Sequence, residues 1–274
     1  MNAPARARGA AGSVILAAAA LAVAFPLYWI AVTAFKPSPE TFQFPPSLWP
    51  HRWDLDPLRT VWQTAPMLLY YRNSILVVAG ILSLQLATVI LAAYAFAVLE
   101  FPGRDLLFYA CLVPIMMPEQ VLFIPDFIIL RSLHLLDTLA GLVLPFATSA
   151  FGIFLVRQAF RGIPGEFIDA ARAEGAGDLA VIRHVMIPLG RPMIVTFGVF
   201  SFVFHWNDYF WPLIMTNAVP VRTLPLGVAT FYTQESGVVW NQVMAANLLL
   251  VLPILVVFAL VQPYIVRGFH LTLQ

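Results

Sequence analysis

Few side chains in this chain are equipped for chemistry, and most of them exclude a reaction. Lys36 is the only lysine and stands between Phe35 and Pro37, so no G-x-x-x-x-G-K-[ST] loop can cradle nucleotide phosphates. Cys111 is the only cysteine, which excludes an internal disulfide and a cysteine-based metal site. No His precedes a Glu, so the H-E-x-x-H zinc pattern is missing, and no G-x-S-x-G elbow occurs. Gly175-Ala176-Gly177-Asp178 matches the G-x-G-D element of intramembrane aspartyl proteases. That chemistry needs a second carboxylate, usually after Tyr in an apolar span, to share a proton. No Tyr precedes an Asp here, and Asp178 stands in a charged stretch. What remains are polar groups inside or beside apolar runs: Glu119, Gln120, Asn207, Asp208 and Asn247. Such groups are costly in lipid and usually face a cavity or a partner, so their chemistry is binding.

The elements that must position them are membrane helices. Of 274 residues, 61% are hydrophobic and 11% charged, against about 25% charged in a soluble domain. The net charge of +1 argues against nucleic acid as a partner. Six apolar runs stand out: Val14–Phe35, Ser74–Leu99, Leu106–Leu130, Thr138–Val156, Pro192–Met215 and Val243–Val266. Each matches the roughly 20 residues a helix needs to cross a bilayer. None shows the alternation of a barrel strand. The first could be a signal peptide cleaved after Ala22-Val23-Ala24, but it runs on through Leu27-Tyr28-Trp29-Ile30, which favours a retained helix. The chain therefore reads as all-α, polytopic, with six spans and both termini on one side. That side carries nine of the Arg and Lys residues and the other six, so the nine-residue side is expected to be cytoplasmic. The divisions expected are an N-terminus 1–13, a first helix 14–35, an ordered external segment 36–68 rich in Pro and Trp, a core 69–266, and a tail 267–274. The stretch 216–242 reads as a second external loop.

Within the core, the loop 157–191 is the most patterned stretch. Pro164 and Glu166 suit a helix start, and Gly175 suits the left-handed position that closes one. Phe167, Ala170, Ala171 and Glu174 are spaced to share a face, with two small residues that permit close approach. Asp178 suits the cap of a second short helix through Val181, Ile182 and Val185, which Pro188 is expected to end.

Two alternatives stay open for each polar candidate. Glu119 and Gln120 line a solute pathway, or the helix bends after Pro118 and leaves Glu119 at the headgroups. Asn207 and Asp208, beside Trp206 and Trp211, belong to a pathway or gate, or to an interfacial belt. Asn247 is a solute contact or, more commonly, glue between helices.

The loop resembles the signature of binding-protein-dependent ABC importer permeases, E-A-A, three residues, G, nine residues, I-x-L-P. Here Asp169-Ala170-Ala171 is followed at the same spacings by Gly175 and by Val185-Met186-Ile187-Pro188, with conservative changes at Asp169, Val185 and Ile187. Glu174 keeps the acidic residue common before the Gly. Pro26-Leu27-Tyr28-Trp29, Arg72-Asn73-Ser74, Ala92-Ala93-Tyr94-Ala95-Phe96-Ala97, Phe101-Pro102-Gly103-Arg104, Trp206-Asn207-Asp208-Tyr209-Phe210-Trp211-Pro212-Leu213 and Val266-Arg267-Gly268 are similar to the carbohydrate-type group of the maltose permease subunit MalG. The resemblance implies the type I importer permease fold, in a bacterial or archaeal plasma membrane, and import of a sugar, polyol or glycerol phosphate by alternating access. A permease for another small solute, or a transporter working without ATP, are the alternatives. It also implies a heterodimer with a second homologous permease, two ATPase subunits that hold ATP-Mg, and an extracytoplasmic binding protein. No cofactor or metal is expected on this chain, and Phe167, Asp169, Ala170, Ala171, Glu174, Gly175 and Ala176 are expected to couple to the ATPase.

Overall fold

The computed structural model describes the backbone of residues 3–232 and 238–271 and the side chains of 13–232 and 238–262. All regular elements among the described residues are helical. Those used below are α1 (Ala3–Ala34), α2 (Asp56–Thr64), α3 (Met67–Val98), α4 (Arg104–Leu112), α5 (Phe123–Ser132), α6 (Leu139–Val143), α7 (Ala150–Arg161), α8 (Gly165–Ala173), α9 (Asp178–Trp206), α10 (Phe210–Met215), α11 (Leu224–Ala229) and α12 (Trp240–Leu271). Residues 233–237 of the expected loop 216–242, and 272–274 of the expected tail, lie outside the described residues, as do Met1 and Asn2.

Four helices are long and apolar enough to cross a membrane: Ser13–Ala34 within α1, then α3, α9, and Trp240–Gln262 within α12. Two further spans are bent pairs, Arg104–Met116 with Glu119–Ser132 at 94° and Leu139–Phe146 with Ala150–Arg161 at 44°. Counting each pair as one span gives the six expected. The bends have a chemical cause. Pro114, Pro118 and Pro145 lack the N–H that a continuous helix would use, and the backbone around them tightens into short 3₁₀ turns.

The described residues cluster into two compact units, one from Met1–Met67 and Gly227–Pro253, the other from Leu68–Leu226 and Ile254–Gln274. In the first unit, α1 is exposed along its apolar length but packs at its end, where Val32, Thr33, Ala34 and Lys36 are buried. Lys36, 2% exposed, donates from Nζ to the Ser47 carbonyl at 2.5 Å and lies 4.6 Å over the Trp29 ring. Asn241 of α12 donates to the Lys36 carbonyl at 2.9 Å. Glu40 accepts from Ser47 Oγ at 2.7 Å and from the His51 N–H at 3.1 Å. Those bonds hold the Glu40 carboxyl below its usual range, against the opposing effect of partial desolvation. The segment after α1 is therefore ordered by bonds to named partners, and the sole lysine fastens it.

In the second unit, α3 is the central member. Asn73 and Ser74 at its start are buried. Asn73 Nδ2 donates to the carbonyls of Pro220 and Arg222 at 2.8 and 2.9 Å, and Ser74 Oγ accepts from Leu224 N at 2.8 Å. Those bonds account for the Asn73 and Ser74 residue types. One apolar core joins Val77, Ile81, Leu130, Leu142, Trp211 and Met215. A second joins α3, α4, α7, α8 and α9 through Val89, Tyr94, Phe108, Val156, Phe160, Ile168, Val181 and Phe197. Helices α3, α7 and α9 approach closely at Gly152, where a Cβ would stand 2.5 Å from Phe197 Cε2 and 2.9 Å from Val89 Cγ2.

One expectation is overturned here. Pro188 does not end a short helix. Asp178–Trp206 is continuous, because Ile182–Met186 widens into a π turn ahead of the proline. A wider turn relieves the clash and missing donor that Pro188 would impose on a regular helix.

Candidate functional site

The loop between α7 and α9 is built around α8. Pro164 sits at its N-cap and Gly165 begins it, one residue later than the sequence suggested, with Glu166 in the first turn. At the other end Gly175 takes φ +88°. Its N–H bonds the Arg172 carbonyl at 2.9 Å, and the Ala176 N–H bonds the Ala171 carbonyl at 3.0 Å. This is the Schellman pairing, which satisfies carbonyls that a helix end leaves open.

The two sides of α8 differ. Ile168 is 8% exposed and, with Ala171 and Ala176, packs on the core of α3, α7 and α9. Phe167 is 53% exposed, and Asp169, Ala170 and Glu174 are exposed with it. Ala171 thus departs from the expected shared face: it turns toward Ile168 and is half-buried. The free face is Phe167, Ala170 and Glu174, flanked by Asp169.

Asp178 does not cap either. The N-cap of its helix is Gly177, with no side-chain bond. Instead Asp178 Oδ1 accepts from Tyr94 Oη of α3 at 2.6 Å and from Arg172 Nη2 of α8 at 3.2 Å. One carboxylate therefore ties α8 to two spans. Nearby, Arg157 of α7, 5% exposed, donates from Nε to the Phe96 carbonyl at 3.0 Å and lies 3.8 Å over the Phe108 ring.

The second feature is a cavity of about 470 Å³ between the spans, lined by Gln85, Glu119, Thr148, Ser149, Ser201 and His205 among apolar and aromatic groups. Of the five polar candidates, Glu119 reaches it, half-buried at the start of the turn after the Pro118 bend. Gln120 is exposed and lines no part of that wall. Asn207 bonds back to the Val203 carbonyl at 2.8 Å. Asp208 Oδ1 accepts from the Trp211 N–H at 3.2 Å, holding the start of α10. Asn247, in the other unit, bonds Tyr232 Oη at 2.9 Å and the Val243 carbonyl at 2.8 Å. The sequence reading missed Gln85, Ser201 and His205. A signal was there: Gln85 interrupts the apolar run of α3, and Ser201 and His205 stand four apart in α9.

Long apolar helices, a largely apolar cavity between them that holds a few polar groups, and an exposed amphipathic helix outside the spans define a membrane permease. Residues 86–270 match the family described as binding-protein-dependent transport system inner membrane component, and the chain belongs to that family. It is 35% identical over 264 residues to the sn-glycerol-3-phosphate transport system permease protein UgpE of Pectobacterium atrosepticum, covering 93% of each chain. It is 33% identical to UgpE of Salmonella typhimurium, covering 90% of each. Among solved structures, a chain of a bacterial ABC transporter involved in import of the acidic polysaccharide alginate matches with TM-score 0.82 and 25% identity, covering 96% of this chain and 98% of that one. The protein is a multi-pass transmembrane permease subunit of an ATP-driven ABC importer.

Proposed function

We propose that this permease moves a sugar, or a related polyol or glycerol phosphate, inward across the plasma membrane by alternating access. Relatives named for sn-glycerol-3-phosphate and a structural neighbour named for alginate support a hydroxylated solute. The chain is one half of a pore completed by a second, homologous permease. Two ATPase subunits bind ATP-Mg and hydrolyse it, and this chain holds no cofactor. A soluble binding protein delivers solute from outside. Both termini and the loop 157–191 lie in the cytoplasm, following the Arg and Lys asymmetry. The first helix 14–35, the external segment 36–68 and the core 69–266 divide the work accordingly.

One observation carries the coupling half of this reading: α8 is anchored through Ile168 and Ala171 while Phe167, Ala170 and Glu174 stay free. A free face on an anchored helix is a docking surface for the ATPase. Closure of the ATPase pair would move α8, and the Tyr94–Asp178–Arg172 bonds would carry that movement into α3 and α9, biasing a bistable bundle. Co-purification with a second permease and an ATPase, and cysteine labelling at Gly177, test the assembly and orientation. Labelling of Gly177→Cys from outside intact cells overturns the orientation. Solute flux with no ATPase at all overturns the mechanism.

A further inference from the structure

The segment between α1 and α2 turns back along the helix it has just left. Phe35 follows α1, and the Asp54 N–H returns to the Phe35 carbonyl at 2.9 Å. Between those points the Tyr28 hydroxyl donates to the Leu48 carbonyl. Tyr28 stands six residues inside the end of α1, about 9 Å along the axis, and a helical side chain leans toward the N-terminus. Leu48 is therefore drawn down beside the span. The apolar run Ser13–Ala34 has 22 residues, about 33 Å of helix against a hydrocarbon core of about 30 Å. The level of Tyr28 is at or inside the edge of that core.

The loop is built for such a place. Residues 41–50 carry no charge. Pro45, Pro46 and Pro50 have no N–H to satisfy, which matters where water is scarce. The carbonyls of Ser47 and Leu48 take their donors from Lys36 and Tyr28. The charged groups stay at the neck, where His51 Nδ1 stands 2.9 Å from Glu40 Oε1. Leu48 and Trp49 are nonetheless 61% exposed each. Trp49 is fixed edge-on to Trp53 at 5.3 Å, and Trp53 packs on Phe35 at 5.5 Å. Exposed apolar groups held rigidly mark a binding surface, and Trp favours the membrane interface. We propose that residues 42–50 form a lipid-facing foot, with phospholipid at the hydrocarbon boundary beside α1 as the partner of Leu48 and Trp49. A soluble protein approaching from water does not reach this depth. The inference rests on α1 crossing the bilayer, whatever the solute.

The test uses the assembled importer in phosphatidylcholine liposomes. A nitroxide is attached at Leu48→Cys and, separately, at Trp49→Cys, each with Cys111→Ala so that one thiol of this chain is labelled. Val23→Cys, on the exposed length of α1, is the lipid reference, and Gln63→Cys, exposed on α2, the water reference. Accessibility to oxygen, which dissolves in hydrocarbon, is compared with accessibility to a water-soluble nickel chelate. The expected oxygen-to-nickel ratio at 48 and 49 lies several-fold above that at Gln63, approaching that at Val23. A ratio equal to that at Gln63 puts the loop in water and overturns the inference. Low accessibility to both reagents means that another protein chain covers the foot, which overturns it equally. A ratio at Val23 as low as at Gln63 takes α1 out of the bilayer, and the inference falls with it.

Discussion

Gly175 closes α8 at φ +88°, and nothing stands within 4 Å of where a Cβ would be. A substitution there meets no steric neighbour, so its cost is that of the backbone conformation alone. A residue with a Cβ pays roughly 1–2 kcal/mol in the left-handed region, and a β-branched one sits at the upper end. That shifts the opening equilibrium of the Schellman turn by a factor of roughly 5–30. Asn tolerates the conformation better. In the intact importer, hydrogen exchange of the Gly175 and Ala176 amides, bonded to the Arg172 and Ala171 carbonyls, should therefore accelerate in the order Asn, Ala, Val. Gly175→Val should exchange roughly tenfold faster or more. Uptake should fall in the same order and be abolished in Gly175→Val, at unchanged membrane level, because α8 lies outside the apolar spans. Equal exchange and uptake in Gly175→Val and wild type would refute the role given to this turn.

Three more outcomes follow from the same geometry. Ala170→Trp should insert normally but lose ATPase binding. Ala171→Trp, on the packed side, should instead lower the membrane level, and equal behaviour of the two would contradict the division of faces. Tyr94→Phe removes the bond that the buried Tyr94 hydroxyl gives to Asp178; it should loosen ATP hydrolysis from uptake without abolishing either, and a silent variant argues against the tie. Asp137 accepts from the Ala218 and Asn217 N–H groups at 2.8 and 2.5 Å, which hold its carboxyl below the usual range. Its stabilisation is therefore present above the unfolded carboxylate value and lost as pH falls through the lower folded one. The melting gap between wild type and Asp137→Ala should narrow on acidification, and a gap that widens would reverse the sign.

The spans were legible because lipid demands long apolar runs, and α8 because a turn signal, a small-residue spacing and a left-handed glycine coincide in one short stretch. Other features were hidden for physical reasons. Pro114, Pro118 and Pro145 announce trouble in the third and fourth runs, but a run of apolar residues does not say whether the helix kinks or breaks, and here the third turns by 94°. Asp178 has the type and place of a cap, yet Tyr94, 84 positions away, competes for the same carboxylate. Gln85 and His205 are 120 positions apart, and only packing of α3 on α9 makes them one polar chain. Lys36 was informative first as the lysine of no nucleotide loop; its burial beside Trp29 is a property of the folded segment.

Coupling as proposed requires the free face of α8 to seat on the ATPase. A photo-crosslinking residue at Ala170, in the assembled importer, tests it directly, with Leu68, also exposed but on a membrane span, as the control. The expected result is an adduct of this chain with the ATPase subunit from position 170, strengthened or weakened by ATP, and none from position 68. No ATPase adduct from position 170, or equal adducts from both, would contradict it.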